Sequence, residues 1–82
     1  MLKVVYGPEF LKRVSAIKDG TTKERVKKRI EHVVRCPEAG KPMRYARKGT
    51  REVRIPPFRL AYAYLPAERT LIFLALYHKD EQ

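Results

Sequence analysis

The stretch Arg51-Glu52-Val53-Arg54-Ile55-Pro56-Pro57-Phe58-Arg59-Leu60-Ala61-Tyr62-Ala63-Tyr64 decides the fold. Val53 and Ile55 alternate with polar residues before the proline pair, and Phe58, Leu60, Tyr62 and Tyr64 hold the same period after it. A period of two marks a half-buried strand, so Pro56-Pro57 reads as the turn of a hairpin. If Ile55 and Phe58 flank a two-residue turn, Arg54 pairs with Arg59. Two arginines then face each other on one side of the sheet, where like charges are destabilising. Keeping such a pair points to an anion held between them, and guanidinium groups suit phosphate.

Working outward, Leu65 to Arg69 is a second turn and Thr70 to His78 a further strand. The run Leu71-Ile72-Phe73-Leu74-Ala75-Leu76 is apolar on both faces, which predicts a central strand covered on both sides. With Tyr64 opposite Thr70, the residues Phe73, Ala75 and Tyr77 join Arg59, Ala61 and Ala63, and Lys79 follows if the strand continues. A slip of one residue brings His78 to that face instead.

Ahead of the hairpin, Leu2 to Tyr6 reads as a short strand. Gly7-Pro8 opens a helix expected near 8–18, with Phe10, Val14 and Ile17 on one face and Asp19-Gly20 at its end. Thr21-x-x-Glu24 reads as a capping box for a second helix over 22–35. That helix sets Val26, Ile30, Val33 and Val34 against Lys23, Arg25, Lys27, Lys28 and Arg29, and Cys36-Pro37 closes it. Pro42 to Lys48 is expected to form a short edge strand and loop. The expected fold is α+β: an N-terminal strand and a helical hairpin packed on a mostly antiparallel four- to five-stranded sheet, as a single domain over 1–82.

The net charge of +10 and pI near 10.1 point to a polyanion partner, nucleic acid first and an anionic membrane surface second. The charge is concentrated: between Lys41 and Arg59 stand seven basic residues and one acid, Glu52. No apolar run is long enough to span a bilayer, and Met1-Leu2-Lys3 has no signal-peptide character, so a cytoplasmic location is expected. The single Cys36 excludes an internal disulfide and fits a reducing compartment. Asn is absent and Gln occurs once, a pattern that thermophile proteins share.

Arg54, Arg59 and Lys79 are therefore the candidate catalytic residues, with His78 as the alternative in the slipped register. Tyr77 is a candidate for stacking an unpaired base, and Arg44, Arg47, Lys48 and Arg51 are candidate nucleic-acid contacts. RNA cleavage by its own 2′-hydroxyl needs a base, cations for the phosphorane charge and an acid for the leaving oxygen. Arginines serve the middle task; Lys79 or His78 could move protons. Against this stands an ordinary surface ion pair from Glu52 to Arg54 or Arg59, and a basic helix face that is merely solvated. His32 and Cys36 have ligand spacing, but no second ligand pair exists in the chain, so neither metal nor small-molecule cofactor is expected.

The stretch Arg54-Ile55-Pro56-Pro57-Phe58-Arg59-Leu60-Ala61-Tyr62 and the end Leu76-Tyr77-His78-Lys79 resemble the RelE/ParE toxin superfamily, in particular small archaeal RelE-like proteins. The resemblance covers nearly the whole chain. It implies a toxin held inactive by a RelB-like antitoxin that wraps it, and cleavage of messenger RNA in the ribosomal decoding site without metal. It matches Arg59 to the arginine at the scissile phosphate, Lys79 to a second functional basic residue and Arg54 to a basic position on the preceding strand. Glu52 stands where active relatives often have lysine, and Pro57 replaces the usual glycine. ParE relatives share the fold and poison DNA gyrase. A non-catalytic RNA- or DNA-binding module on the same scaffold is the other alternative.

Overall fold

The computed structural model describes residues 2–44 and 47–81. Strand β1 (Lys3–Tyr6) leads into helices α1 (Pro8–Ala16) and α2 (Gly20–Arg35). Strands β2 (Lys41–Pro42), β3 (Thr50–Ile55), β4 (Phe58–Leu65) and β5 (Thr70–His78) follow, with single 3-10 turns at Pro66–Glu68 and Lys79–Glu81. The five strands form one sheet in the order β1-β5-β4-β3-β2. Strand β1 runs parallel to β5, and the other pairs are antiparallel. The helices pack on one face, and none is long and apolar enough to cross a membrane among the described residues.

Both helix starts have identifiable causes. Gly7 caps α1 and Pro8 enters its first turn, where a missing N–H costs nothing. The helix ends at Ala16, short of the expected boundary, because Ile17 turns to extended backbone and drops into the core. The expected capping box is corrected. Asp19, not Thr21, caps α2: its carboxylate accepts from the Thr21 N–H at 3.1 Å and from the Thr22 hydroxyl at 2.7 Å. An aspartate two residues earlier offers a stronger acceptor than threonine, so the helix begins at Gly20. The hydrogen bond from Thr22, then that from Thr21, holds the Asp19 carboxyl below its ordinary range. The expected edge strand over 42–48 shrinks to Lys41–Pro42 paired with Arg51 and Glu52; Tyr45 and Ala46 lie outside the described residues.

The hairpin forms in the expected register, with Arg54 opposite Arg59 and Ile55 opposite Phe58, around a cis peptide bond between Pro56 and Pro57. The β4–β5 register departs from expectation. Leu65, not Tyr64, faces Thr70, and the ladder shifts between Ala61 and Tyr62, which pair with Ala75 and Phe73. Leu74 is the extra residue of a β-bulge. On the N-terminal side of it Phe73 points into the core; on the C-terminal side Tyr77 faces Arg59. Phe73 therefore does not join the Arg59 side. Strand β5 is central, as its composition predicts, but only the helix-facing side is covered: Leu74 is 39% exposed.

The core gathers Phe10 from α1 and Ile17 just past its end, Val26 and Val33 from α2, and Val53, Ile55, Leu60, Tyr62, Leu71, Phe73 and Leu76 from the sheet. Phe73 sits among rings, with centroids 5.4 Å from Phe10 and 5.5 Å from Tyr6. Tyr62 is wholly buried, yet its hydroxyl is fully used. It donates to the Pro37 carbonyl at 2.8 Å and accepts from the Gly40 N–H at 2.8 Å, pinning the chain that leaves α2 to the sheet. A Cβ on Gly40 would stand 2.6 Å from that oxygen, so only glycine allows the approach. Burial raises the Tyr62 pKa, because the phenolate would lose its water.

Tyr62→Phe leaves the Gly40 N–H and Pro37 carbonyl without this partner. An orphaned buried group costs about 1–3 kcal/mol, and each kcal/mol is worth about 4–8 °C in a domain of this size. A thermal unfolding curve should shift down by at least several degrees; an unchanged Tm would refute the anchoring role. The Asp19 cap should add an acid-sensitive term. Because the folded carboxyl titrates lower than the unfolded one, its contribution is present above the unfolded pKa and is lost as pH falls through the folded value. Asp19→Asn keeps a cap and should flatten that part of the stability–pH curve.

Candidate functional site

The open face of the sheet, opposite the helices, brings Glu52, Arg54, Arg59 and Tyr77 together. Their backbone positions explain it: Arg59 pairs with Arg54 on β3 and with Tyr77 on β5, and Glu52 lies one step along on the same face. Glu52 faces Ala61, which faces Ala75, so two small side chains form a floor from which the longer ones rise. One Glu52 oxygen, Oε1, lies 3.3 Å from the Arg59 guanidinium, and the Tyr77 hydroxyl donates to the other, Oε2. The Arg59 and Glu52 side chains are 26% and 20% exposed, so the pair is only partly screened by water.

The Arg59 charge is thereby matched, whereas no carboxylate pairs with Arg54 among the described residues. Arg54 is exposed, because β2 begins only at Lys41, opposite Glu52, and leaves the Val53 to Ile55 end of β3 without a neighbour on that side. Arg54, Arg59 and Lys79 line one cleft of about 300 Å³, closed at one end by Pro56, Pro57 and Phe58. Lys79 reaches it from a 3-10 turn and not from a continued strand; its backbone N–H donates to the Pro57 carbonyl at 3.1 Å, which fixes it beside the hairpin turn.

Two residues singled out from the sequence lie elsewhere. His78 faces Phe58 on the helix side, its ring edge-to-face at 5.9 Å, with Nδ1 3.4 Å from the Asp80 carboxylate. The bulge that turns Tyr77 toward Arg59 turns His78 away. Arg51 also points to the helix side and donates to the Glu38 and Gly40 carbonyls at 3.2 and 2.7 Å. It fastens the loop after α2, and its place between Thr50 and Glu52 required that side by alternation. Arg44, Arg47 and Lys48 are exposed in the loop ahead of β3. Glu52 is more than the surface bridge it resembled: the second contact, from Tyr77, needs the bulge, and the sequence carries no plain signal for that. Among the described residues no three His, Cys, Asp or Glu side chains gather as a metal site would require.

The arrangement can do three things. Arg54, Arg59 and Lys79 can hold a phosphate and take up charge that develops on it. The Glu52 carboxylate, held by two donors at the centre, can accept a proton. Tyr77 offers an aromatic ring beside both.

No curated protein matches the chain by sequence. Solved structures match its shape over almost its whole length. The intact RelBE toxin–antitoxin complex of E. coli contains a chain with TM-score 0.79 and 14% identity, covering 95% of this chain and 96% of that one. A YoeB/ParE toxin from Agrobacterium tumefaciens aligns with TM-score 0.79 and 19% identity, over 94% of this chain and 98% of that one. The archaeal RelE–RelB complex from Pyrococcus horikoshii gives 0.78 and 13%, over 99% and 98%. At these identities the likeness is one of fold. Sequence carries the rest: the model for the ParE toxin of type II toxin–antitoxin systems, parDE, matches residues 4–82. A chain whose helical hairpin, five-stranded sheet and basic open face all fall within that match belongs to this toxin family.

Proposed function

We propose that this toxin is a ribosome-dependent mRNA endonuclease that stops translation and is held inactive by a RelB-like antitoxin. The observation that carries the reading is the meeting of Arg59, Glu52 and Tyr77 at the centre of an open face with Arg54 and Lys79 at its rim. In this mechanism Arg59 and Arg54 bind the scissile phosphate. Glu52 takes the 2′-hydroxyl proton as the 2′-oxygen attacks phosphorus. The arginines and Lys79 stabilise the added charge of the phosphorane. The bond from phosphorus to the 5′-oxygen breaks, and Lys79 gives that oxygen a proton, leaving a cyclic phosphate and a free 5′-hydroxyl. The cleft is shallow and encloses nothing, so a second surface must press the RNA into it; the ribosome fills that need in this reading.

The rest of the open face suits an antitoxin. Val5, Ile72 and Ala63 share it through their pairings, and Val5 and Leu74 are exposed apolar side chains on strands β1 and β5. An acidic, partly apolar segment that folds on binding would satisfy both halves. Two of the structural neighbours are complexes with RelB. If a small acidic protein is encoded beside this one, co-expression should yield a complex in which Arg59 is protected; a growth-neutral chain with no such partner would argue against the toxin reading.

Losing one preorganised charge contact to a transition state costs on the order of 100- to 1000-fold in rate. Arg59→Ala should lower ribosome-dependent cleavage by that much while circular dichroism shows the fold intact. Lys48→Ala, off the site, should only weaken RNA binding. Glu52→Gln keeps a partner for Tyr77 but cannot take a proton, so it should abolish cleavage without weakening RNA binding. Undiminished cleavage in Glu52→Gln would reduce Glu52 to an ion-pair partner. The matched family is named for ParE, so inhibition of gyrase is the second reading. Purified wild-type protein that leaves translated messages whole but blocks DNA supercoiling would establish it, and one that binds RNA without either effect is a binding module.

A further inference from the structure

A second basic cleft lies across the hairpin turn from the first. It is formed by Arg25, Lys28, Arg29 and His32 of α2 against Arg54 and Ile55 of β3, and encloses about 360 Å³. The four helix positions fall at i, i+3, i+4 and i+7, a single stripe. Three fixed cations on one stripe, at i, i+3 and i+4, repel one another, and an anion seated between them would relieve that. No acid lines this cleft, in contrast to the Arg59 site, where Glu52 balances the charge.

An independent contact ties the two clefts together. The Arg25 guanidinium donates to the Pro56 carbonyl at 2.8 Å, which sets the α2 stripe against the hairpin turn. Arg54 and Pro56 line both clefts and form the ridge between them. The cations therefore run without interruption from Lys79 and Arg59, over Arg54, to Lys28 and Arg29. The stripe is about 10 Å long at 1.5 Å per residue, enough for more than one phosphate of a strand.

We propose that the α2–β3 cleft is a second phosphate-backbone subsite, which holds the flanking nucleotides of a single-stranded RNA whose reacting phosphate lies at Arg59. The inference rests on the reading of the Arg59 site as an RNA site. Single-stranded RNA fits better than an acidic peptide because four of the seven lining residues are fixed cations, only Ile55 and Pro56 are apolar, and guanidinium forks match phosphate oxygens. A peptide segment would seek the apolar surface found on the opposite side of α2, between Leu11, Val14 and Ile30.

The test measures binding rather than cleavage. A labelled short single-stranded RNA is titrated with the wild-type chain, with the double variant Lys28→Ala/Arg29→Ala, and with Lys12→Ala on α1 as control, at several salt concentrations. Each phosphate contact on a single strand contributes about 0.7 to the slope of log affinity against log salt. The double variant should bind about tenfold more weakly and with a slope reduced by about 1.4, for two lost contacts. Lys12→Ala should match the wild type in both, and all three should melt alike because the substituted side chains are exposed. An unchanged affinity and slope in the double variant overturns the subsite, as does loss of polyglutamate binding with RNA binding intact. The two readings fail separately. If the wild type cuts no message but the double variant still loses RNA affinity, the subsite stands and cleavage falls. If messages are cut and the double variant binds RNA normally, the subsite alone falls.

Discussion

One extra residue in one strand decides which side chains meet on the open face of this molecule. Phe73 and Tyr77 are four apart on β5, so strict alternation would put them on the same face. The core needs Phe73, which fills the space among Phe10, Tyr6 and Tyr62. The site needs Tyr77 opposite Arg59. Only an odd residue between them meets both demands, and Leu74 is that residue. Without it either the aromatic core would lose its centre or Glu52 would lose its second donor. The bulge costs the sheet a place in the ladder and exposes a leucine. In return, one strand contributes to a packed interior and a charged exterior with the same parity.

Glu52 has a related double character. It relieves Arg59 of part of the repulsion from Arg54 across the hairpin, which makes the pair tolerable in the free protein. It also occupies the position that a phosphate oxygen would take beside that guanidinium. In the proposed function, a phosphate would compete with this tethered carboxylate for the Arg59 guanidinium. On that reading, the carboxylate that steadies Arg59 in the free protein would also set how tightly the site holds its ligand.

Much of this was legible in the sequence because it followed from local periodicity. The hairpin, the Arg54–Arg59 pairing, the inward set Phe58, Leu60, Tyr62 and Tyr64, and the helix face of Phe10 and Val14 all follow from patterns within a few residues, whereas Ile17 reaches the core from beyond the helix end. What was not legible depended on competition between distant groups. The bulge is a contest between Phe73 packing and ladder continuity, and Leu71 to Leu76 offers no polar residue to mark the outcome. The Asp19 cap was a choice between two competent residues two positions apart. Arg51, read with its basic neighbours, was claimed by carbonyls of a loop whose path the sequence does not reveal. Charge patterning identified two basic stretches, the α2 face and residues 41–59; only the tertiary path set them side by side as two clefts with Arg54 between them.

The parallel pairing of β1 with β5 joins nearly opposite ends of the chain, Lys3 with Thr70 and Tyr6 with Phe73. Synthesis proceeds from the N-terminus, so the first strand made must wait for the last before it has a neighbour. The helical hairpin has local contacts and can form early, but its apolar face has no sheet to rest on until β5 arrives. Tyr77 and Lys79 are later still. Until β5 is made, the open face that carries Glu52, Arg59 and Tyr77 is therefore incomplete. The interval is also when the half-built sheet is most exposed to association with other chains, and it is the natural moment for a protective partner to engage.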